Sequence, residues 1–265
     1  MQIIIPIKQV PETSNVKMDE ETGTMVREGV ESIVNPLDLY AIEVGIQLKE
    51  EHGGKITVIT MGPPSADKAL REAIAMGCDK GILVSGKEFA GSDTWATSYT
   101  LSSAIKEAGK FDLIIAGERA TDGDTGQVGP GIASFLDIPL ATYTSKIVEI
   151  SSKNIVVERL IEEGYEILKM PLPALLTVVK EISYPRLPTL RGKQRAKKTA
   201  IPLWSKNNMK LKQTNLGLKG SPTRVVKITH PKVTRRGTIV KVSDEKTLNE
   251  AVSRMIKFMR GKELI

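Results

Sequence analysis

Four short apolar runs punctuate the first half of the chain, and between them apolar residues return every three or four positions. QIIIPI (residues 2–7), KITVITMG (55–62), GILVSG (81–86) and FDLIIAG (111–117) read as buried strands. The intervening text is helical. NPLDLYAIEVGIQLKEE opens with Asn35 as N-cap and Pro36 at the first helical position, and sets Leu37, Tyr40, Ala41, Val44 and Leu48 on one face. SADKALREAIAMG begins at Ser65 and stops at Gly77, and SDTWATSYTLSSAIKEAG runs from a Ser/Asp cap to Gly109. Continuous apolar strands alternating with amphipathic helices predict an α/β fold with a doubly wound, mostly parallel sheet covered on both faces. Ligands in that architecture sit at the carboxyl ends of the strands.

After Pro139 the spacing shortens. KIVEI, NIVVERLI, GYEILKM and ALLTVVKEI follow one another closely and predict a small antiparallel addition. From Tyr184 the text turns to YPRLPTLRGKQRAKKTAIPLW, with prolines, cations and little periodicity, which reads as an extended arm. The arm is expected to end in a helix over 244–260, with Leu248, Val252, Met255, Ile256 and Met259 on one side. The expected division is an α/β domain over 1–183 and an arm with a C-terminal helix over 184–265.

Charge sharpens that division. Residues 185–265 hold 21 Lys+Arg against 4 Asp+Glu, which leaves 17 against 27 for residues 1–184, so an acidic body carries a basic extension. Such asymmetry points to an acidic partner surface, nucleic acid or a solvated tail. The extension's first seventy residues contain one aromatic ring, Trp204, and no stacking platform or zinc spacing, which argues against nucleic acid. A single cysteine, Cys78, rules out an internal disulfide. With no basic leader and no apolar run near the roughly 20 residues that cross a bilayer, the expectation is a cytoplasmic protein without a membrane span.

The two histidines, His52 and His230, with one cysteine supply no zinc site or Cys/His pair, and no catalytic side chain and no metal are expected. Gly-x-Ser-x-Gly, the P-loop ending and Gly-x-Gly-x-x-Gly after the first strand are all missing. Redox or group-transfer work would therefore fall to a bound cofactor. GERATDGDTGQVGPG (117–131) follows the fourth strand and leads into the helical run QVGPGIASFLD, so its last amides sit at a helix N-terminus suited to phosphate. Gly123, Gly126 and Gly129 permit close backbone approach, and Thr121 and Thr125 offer hydroxyls. Asp122 and Asp124 suit Asx-turns or ribose hydroxyls better than an anion. An ordinary surface turn has the same composition. Pro6 and Lys8 after the first strand, Asn35 to Asp38, and Met61 with Gly62 fall on the same rim, although singly they read as caps and core.

Those residues also carry a resemblance. PIKQVPET, NPLDLYAIE, REAIAMGCDKGILV, ATDGDTGQVGP and VERLIEEGYEILKMPLPALLTVVKE, continuing into PRLPTLRGKQRAKK, make the chain similar over essentially its whole length to the β subunit of electron-transfer flavoproteins. The resemblance implies a nucleotide-binding α/β subunit that pairs with a homologous α subunit as a heterodimer. One branch of the family binds AMP here as a structural ligand. A bifurcating branch binds FAD, takes hydride from NADH, and sends one electron to ferredoxin or flavodoxin and the other through the α-subunit FAD to a flavin-dependent dehydrogenase. The AMP-type loop tends to three consecutive acids and an Asn; DGDTGQVGP departs from it and resembles the bifurcating form. Carried over by position, the resemblance assigns the nucleotide to Pro6, Lys8, Asn35 to Asp38, Met61, Gly62, Gly117 and the run Ala120, Thr121, Asp122, Gly123, Asp124, Thr125, Gly126, Gln127, Val128, Gly129 and Pro130. It assigns dehydrogenase recognition to LPTLRGKQRAKK, with Leu190 as anchor and Arg191, Lys193, Arg195, Lys197 and Lys198 as steering charges. A stand-alone nucleotide-binding regulator and a nucleic-acid-binding protein are the competing readings, and neither accounts for VERLIEEGYEILKMPLPALLTVVKE (157–181).

Overall fold

A computed structural model of the chain describes residues 1–12, 17–18, 25–26, 32–226, 237 and 239–265; His230 lies outside them. They form two compact units, Met1–Lys227 and Ile228–Ile265.

The first unit opens with β1 (Gln2–Pro6), the short strands β2 (Gln9–Pro11), β3 (Lys17–Met18), β4 (Met25–Val26) and β5 (Ser32–Val34), and α1 (Pro36–His52). It continues through β6 (Lys55–Met61), α2 (Asp67–Met76), β7 (Lys80–Val84), α3 (Thr94–Ala108), β8 (Leu113–Gly117) and α4 (Val128–Leu136). Then come β9 (Leu140–Ile150), β10 (Asn154–Ile161), β11 (Gly164–Pro171), β12 (Ala174–Val178), α5 (Leu190–Lys198), β13 (Leu203–Trp204) and the single turn α6 (Gly217–Gly220). A nine-stranded sheet runs in the order β11-β10-β9-β12-β8-β1-β6-β7-β13, and β2–β5 and β3–β4 form separate two-stranded ladders.

The doubly wound reading of the body holds. β1, β6, β7, β8, β9, β12 and β13 pair in parallel. One layer of core lies under α1 and α2 (Ile3, Ile5, Ile42, Ile56, Leu70, Leu113), and the other under α3 and α4 (Ile59, Leu101, Ile105, Ile114, Ile132, Leu175). Each of these buried side chains contributes about 1.5–3 kcal/mol relative to exposure.

Three details differ from expectation. ALLTVVKEI does not join the antiparallel addition: β12 inserts between β8 and β9, parallel to both, and is buried at all five positions. An unbroken apolar run fits only a strand covered on both faces. The antiparallel addition is β10 and β11, hydrogen-bonded to the end of β9 and continuous with the main sheet. Third, the text after Tyr184 is not extended throughout. Thr189 accepts a hydrogen bond from the Gly192 amide at 2.9 Å and starts α5. Arg71 of α2 donates to the carbonyls of Ala196 and Thr199, and Arg195 donates to those of Ile74 and Cys78, so α5 lies against α2 mainly through polar contacts, with Ala196 alone of its residues buried, against Ile74 and Ala75. Residues 184–226 thus lie within the first unit.

The second unit contains α7 (Glu245–Arg260). Asp244 and Thr247 form a capping box, and Leu248, Val252, Met255 and Ile256 stand at helical spacing with none of the helix buried. No helix among the described residues is long and apolar enough to cross a membrane.

Candidate functional site

The carboxyl ends of β8, β1 and β6 lie side by side in the sheet, and Asn35 ties α1 to the loop that leaves β8. Asn35 occupies the N-cap position of α1, but its side chain makes no cap hydrogen bond. It is 1% exposed, and its amide donates to Asp38 Oδ1 and to the Arg119 carbonyl, both at 2.9 Å, while its oxygen accepts from the Thr121 amide at 3.2 Å. Asn35 thus holds the expected N-cap position, but its side chain serves backbone groups 84 and 86 residues away instead of the first turn of α1.

Asp38, 6% exposed, takes the Lys8 amide on Oδ2 at 2.7 Å. Burial pushes its carboxyl up to about 7, against the opposing pull of the Asn35, Lys8 and Gly117 N–H groups. The fit around Gly117 is tight: a Cβ there would lie 2.4 Å from Asp38 Oδ1. Burial likewise raises the Glu118 carboxyl on the next residue, with Arg119 opposing it.

Beyond Gly117 the loop turns on itself. The amides of Gly123 and Asp124 both donate to the Ala120 carbonyl, and Asp124 adopts a left-handed φ of 52°. Asp122 and Asp124 form neither Asx-turns nor free acceptors. Asp122 pairs with Lys8 Nζ at 2.6 Å, and Asp124 with Arg119 Nε at 2.7 Å. Two carboxylates beside a cluster of N–H donors are thereby matched by two cations within the site. Gly126, at φ 62°, reverses the chain into α4. Among the described residues, the amides of Thr125, Gly126, Gln127, Val128 and Gly129 have no acceptor within the chain. Gln127 is fixed by the Thr94 hydroxyl at 2.8 Å, and Gly129 packs on Thr177 of β12. Pro130 sits in the first turn of α4.

Pro6 and Lys8, Asn35 and Asp38, and the residues from Gly117 to Pro130 are therefore brought together. Met61, half-buried at the end of β6, and Gly62, whose amide donates to the Val84 carbonyl at 3.0 Å, stand on the same edge beyond β1. The basic segment lies apart, on α2. Leu190 is 81% exposed, and Arg191, Lys193, Lys197 and Lys198 are exposed with it, whereas Arg195 turns onto the carbonyl end of α2. Sequence reasoning missed two features. Arg119 pairs with a loop carboxylate. Arg186 donates through its guanidinium to Glu43, 3% exposed, and to Glu50. A cation four residues ahead of Leu190, facing helix carboxylates at i and i+7, was the available signal.

The fold and rim define a doubly wound α/β protein with a glycine-rich loop, rich in free amides, over the carboxyl edge of its sheet. The family described as electron transfer flavoprotein domain matches residues 22–208. The chain is 44% identical over 266 residues to the electron transfer flavoprotein subunit beta of Thermoanaerobacterium thermosaccharolyticum, covering 100% of both. It is 42% identical over 266 residues to the caffeyl-CoA reductase-Etf complex subunit CarD of Acetobacterium woodii, again covering 100% of both. It is 42% identical over 260 residues to protein FixA of Azotobacter vinelandii, covering 95% of this chain and 92% of that one. The chain belongs to the electron transfer flavoprotein family.

Proposed function

We propose that this chain is the β subunit of a heterodimeric electron-transfer flavoprotein of the bifurcating type, with FAD held at the rim formed by Asn35, Asp38 and residues 117–130. The observation that carries the reading is the row of free amides from Thr125 to Gly129, next to a Gly123 whose Cβ position has no atom within 4 Å. Amides at a helix N-terminus suit a phosphate, and the open side at Gly123 leaves room for more than a mononucleotide. Bound flavin supplies hydride acceptance from NADH and one-electron delivery onward to ferredoxin or flavodoxin and to the α-subunit FAD. The chain's own residues hold and orient it. Asn35 locks the loop to α1, and Lys8 and Arg119 neutralise Asp122 and Asp124, so that the loop carboxylates do not oppose an anion. Leu190, Arg191, Lys193 and Lys197, on a segment fixed to the body, suit a partner dehydrogenase with an acidic docking face. The second unit suits a wrap around the α subunit, with the apolar side of α7 as its contact.

The test is a flavin count on the co-expressed heterodimer. Two FAD per pair, one of them bleached by NADH, is the expected result. One FAD plus one AMP, with no bleaching by NADH, would overturn the bifurcating assignment in favour of the conventional branch.

A further inference from the structure

Tyr143 lies outside every set of residues that the sequence selects, yet it is the strained residue of the sheet. Its φ is 55°, a left-handed conformation that is strained for a bulky side chain. The cause is a bulge. Between Ala141 and Thr144 of β9 the partner strand β12 advances only from Leu176 to Val178, so β9 carries one residue more than its neighbour. The Tyr143 amide leaves the ladder and donates to the Thr177 hydroxyl at 3.1 Å.

The bulge re-aims the ring. A Cβ built on Gly126 would lie 3.7 Å from the Tyr143 hydroxyl, which places that hydroxyl over the point where the loop turns into α4. The residue is 42% exposed, and its hydroxyl has no hydrogen-bond partner among the described residues. Of the four non-glycine residues with left-handed φ among those described, two, Asp124 and Tyr143, flank this loop. On its other side Tyr143 borders a groove of about 640 Å³ shared with Arg159, Leu160, Ile161, Glu162 and Glu163. Strain of this kind persists where the surroundings enforce it, and such positions cluster at ligand sites.

We propose that Tyr143 is a ligand-contacting residue of the nucleotide site: its hydroxyl donates to the phosphate held by the amides after Gly126, and its ring walls that phosphate off from the groove. The inference rests on the nucleotide reading given above. Phosphate is common to AMP and FAD, so the contact serves either ligand.

The experiment is a titration of the ligand-free heterodimer with AMP and with FAD, for the wild type, Tyr143→Phe, Tyr143→Gly and Gly126→Val. A lost hydrogen bond to a charged group lowers affinity roughly ten- to a hundredfold, so Tyr143→Phe weakens both ligands by that factor without changing the melting temperature of the ligand-free protein. Tyr143→Gly relieves the left-handed φ; its ligand-free melting temperature rises while its affinity falls at least as far as that of the Phe variant. Wild-type affinity in Tyr143→Phe, alongside a loss in Gly126→Val, overturns the role of Tyr143 and leaves the site standing. Failure of the wild type to bind either nucleotide overturns both.

Discussion

Arg186→Ala isolates the contact that fixes the start of the basic segment. The guanidinium and the backbone amide of Arg186 reach Glu43 in four contacts of 2.9–3.2 Å, and two more at 2.6 and 2.9 Å reach Glu50. Removing one member of a buried ion pair typically costs about 3–5 kcal/mol. The Arg186 side chain is 34% exposed while that of Glu43 is 4% exposed, so we reduce this to about 2–3 kcal/mol. At about 2–4 °C per kcal/mol for a unit of this size, the melting temperature should fall by roughly 4–12 °C. The pH dependence identifies the cause. Burial pushes the Glu43 carboxyl up, but the hydrogen bonds and charge of Arg186 outweigh it and hold the group below its ordinary 4.5. In the wild type this stability is present above pH 4.5 and is lost as pH falls through the depressed value. Without Arg186, burial alone raises the carboxyl, so the variant's deficit is largest near neutrality and shrinks as acid protonates Glu43. Denaturant melts of the full chain at about pH 4, 5, 6 and 7 read this directly, and Glu43→Gln in the Arg186→Ala background should recover more than half of the loss. A deficit below about 1 kcal/mol that is flat with pH would show the pair to be a surface contact.

The same geometry has three further consequences. Gly126→Val places a branched side chain at φ 62° and removes one or two amide contacts, so nucleotide content at this site should drop roughly ten- to a thousandfold, while the heterodimer and its α-subunit flavin survive; flavin analysis of the purified variant reads it. Asp38, with its carboxyl raised to about 7 from 3.8, contributes stability that is full below 3.8 and lost as pH rises through 7, so melts between about pH 4 and 8 should show Asp38→Asn flattening a slope of up to about 1.4 kcal/mol per pH unit. Leu190→Ala with Arg191→Ala should slow electron delivery to the partner dehydrogenase and leave NADH reduction untouched, which stopped-flow traces of the two half-reactions separate.

The alternation of strands and helices was legible because each element announces itself within a dozen residues: β8 is an apolar run, and Asp93 caps α3 by accepting from the Ala96 amide. The rim positions were legible for the same reason, as strand ends and helix starts. What escaped depends on partners distant in sequence. Nothing local says that Asn35 will serve a loop 84 residues on, that Asp122 will meet Lys8, or that β12 will enter between β8 and β9. The helix α5 was hidden because it docks by hydrogen bonds from Arg71 and Arg195 and shows no apolar stripe. For α1, the expected single face is too narrow. Ala41, Ile42, Val44, Gly45, Ile46 and Leu48 are all buried, since the sheet lies on one side, as Gly45 close to Ile5 shows, and the turn after α2 on another, as Gly77 close to Ile46 shows.

The strand β13 gives the body a timetable. Leu203 and Trp204 pair with Leu83 and Val84, 120 residues earlier, and so complete one margin of the sheet with chain that leaves the ribosome after every other strand of it. Until those residues emerge, β7 presents a row of unpaired backbone groups on that side, and until Arg186 emerges Glu43 waits without its guanidinium. Such a margin is the usual place for one nascent chain to adhere to another. A product that terminates before residue 186 carries both defects permanently, so this protein's window of vulnerability to aggregation closes only in the last quarter of its synthesis.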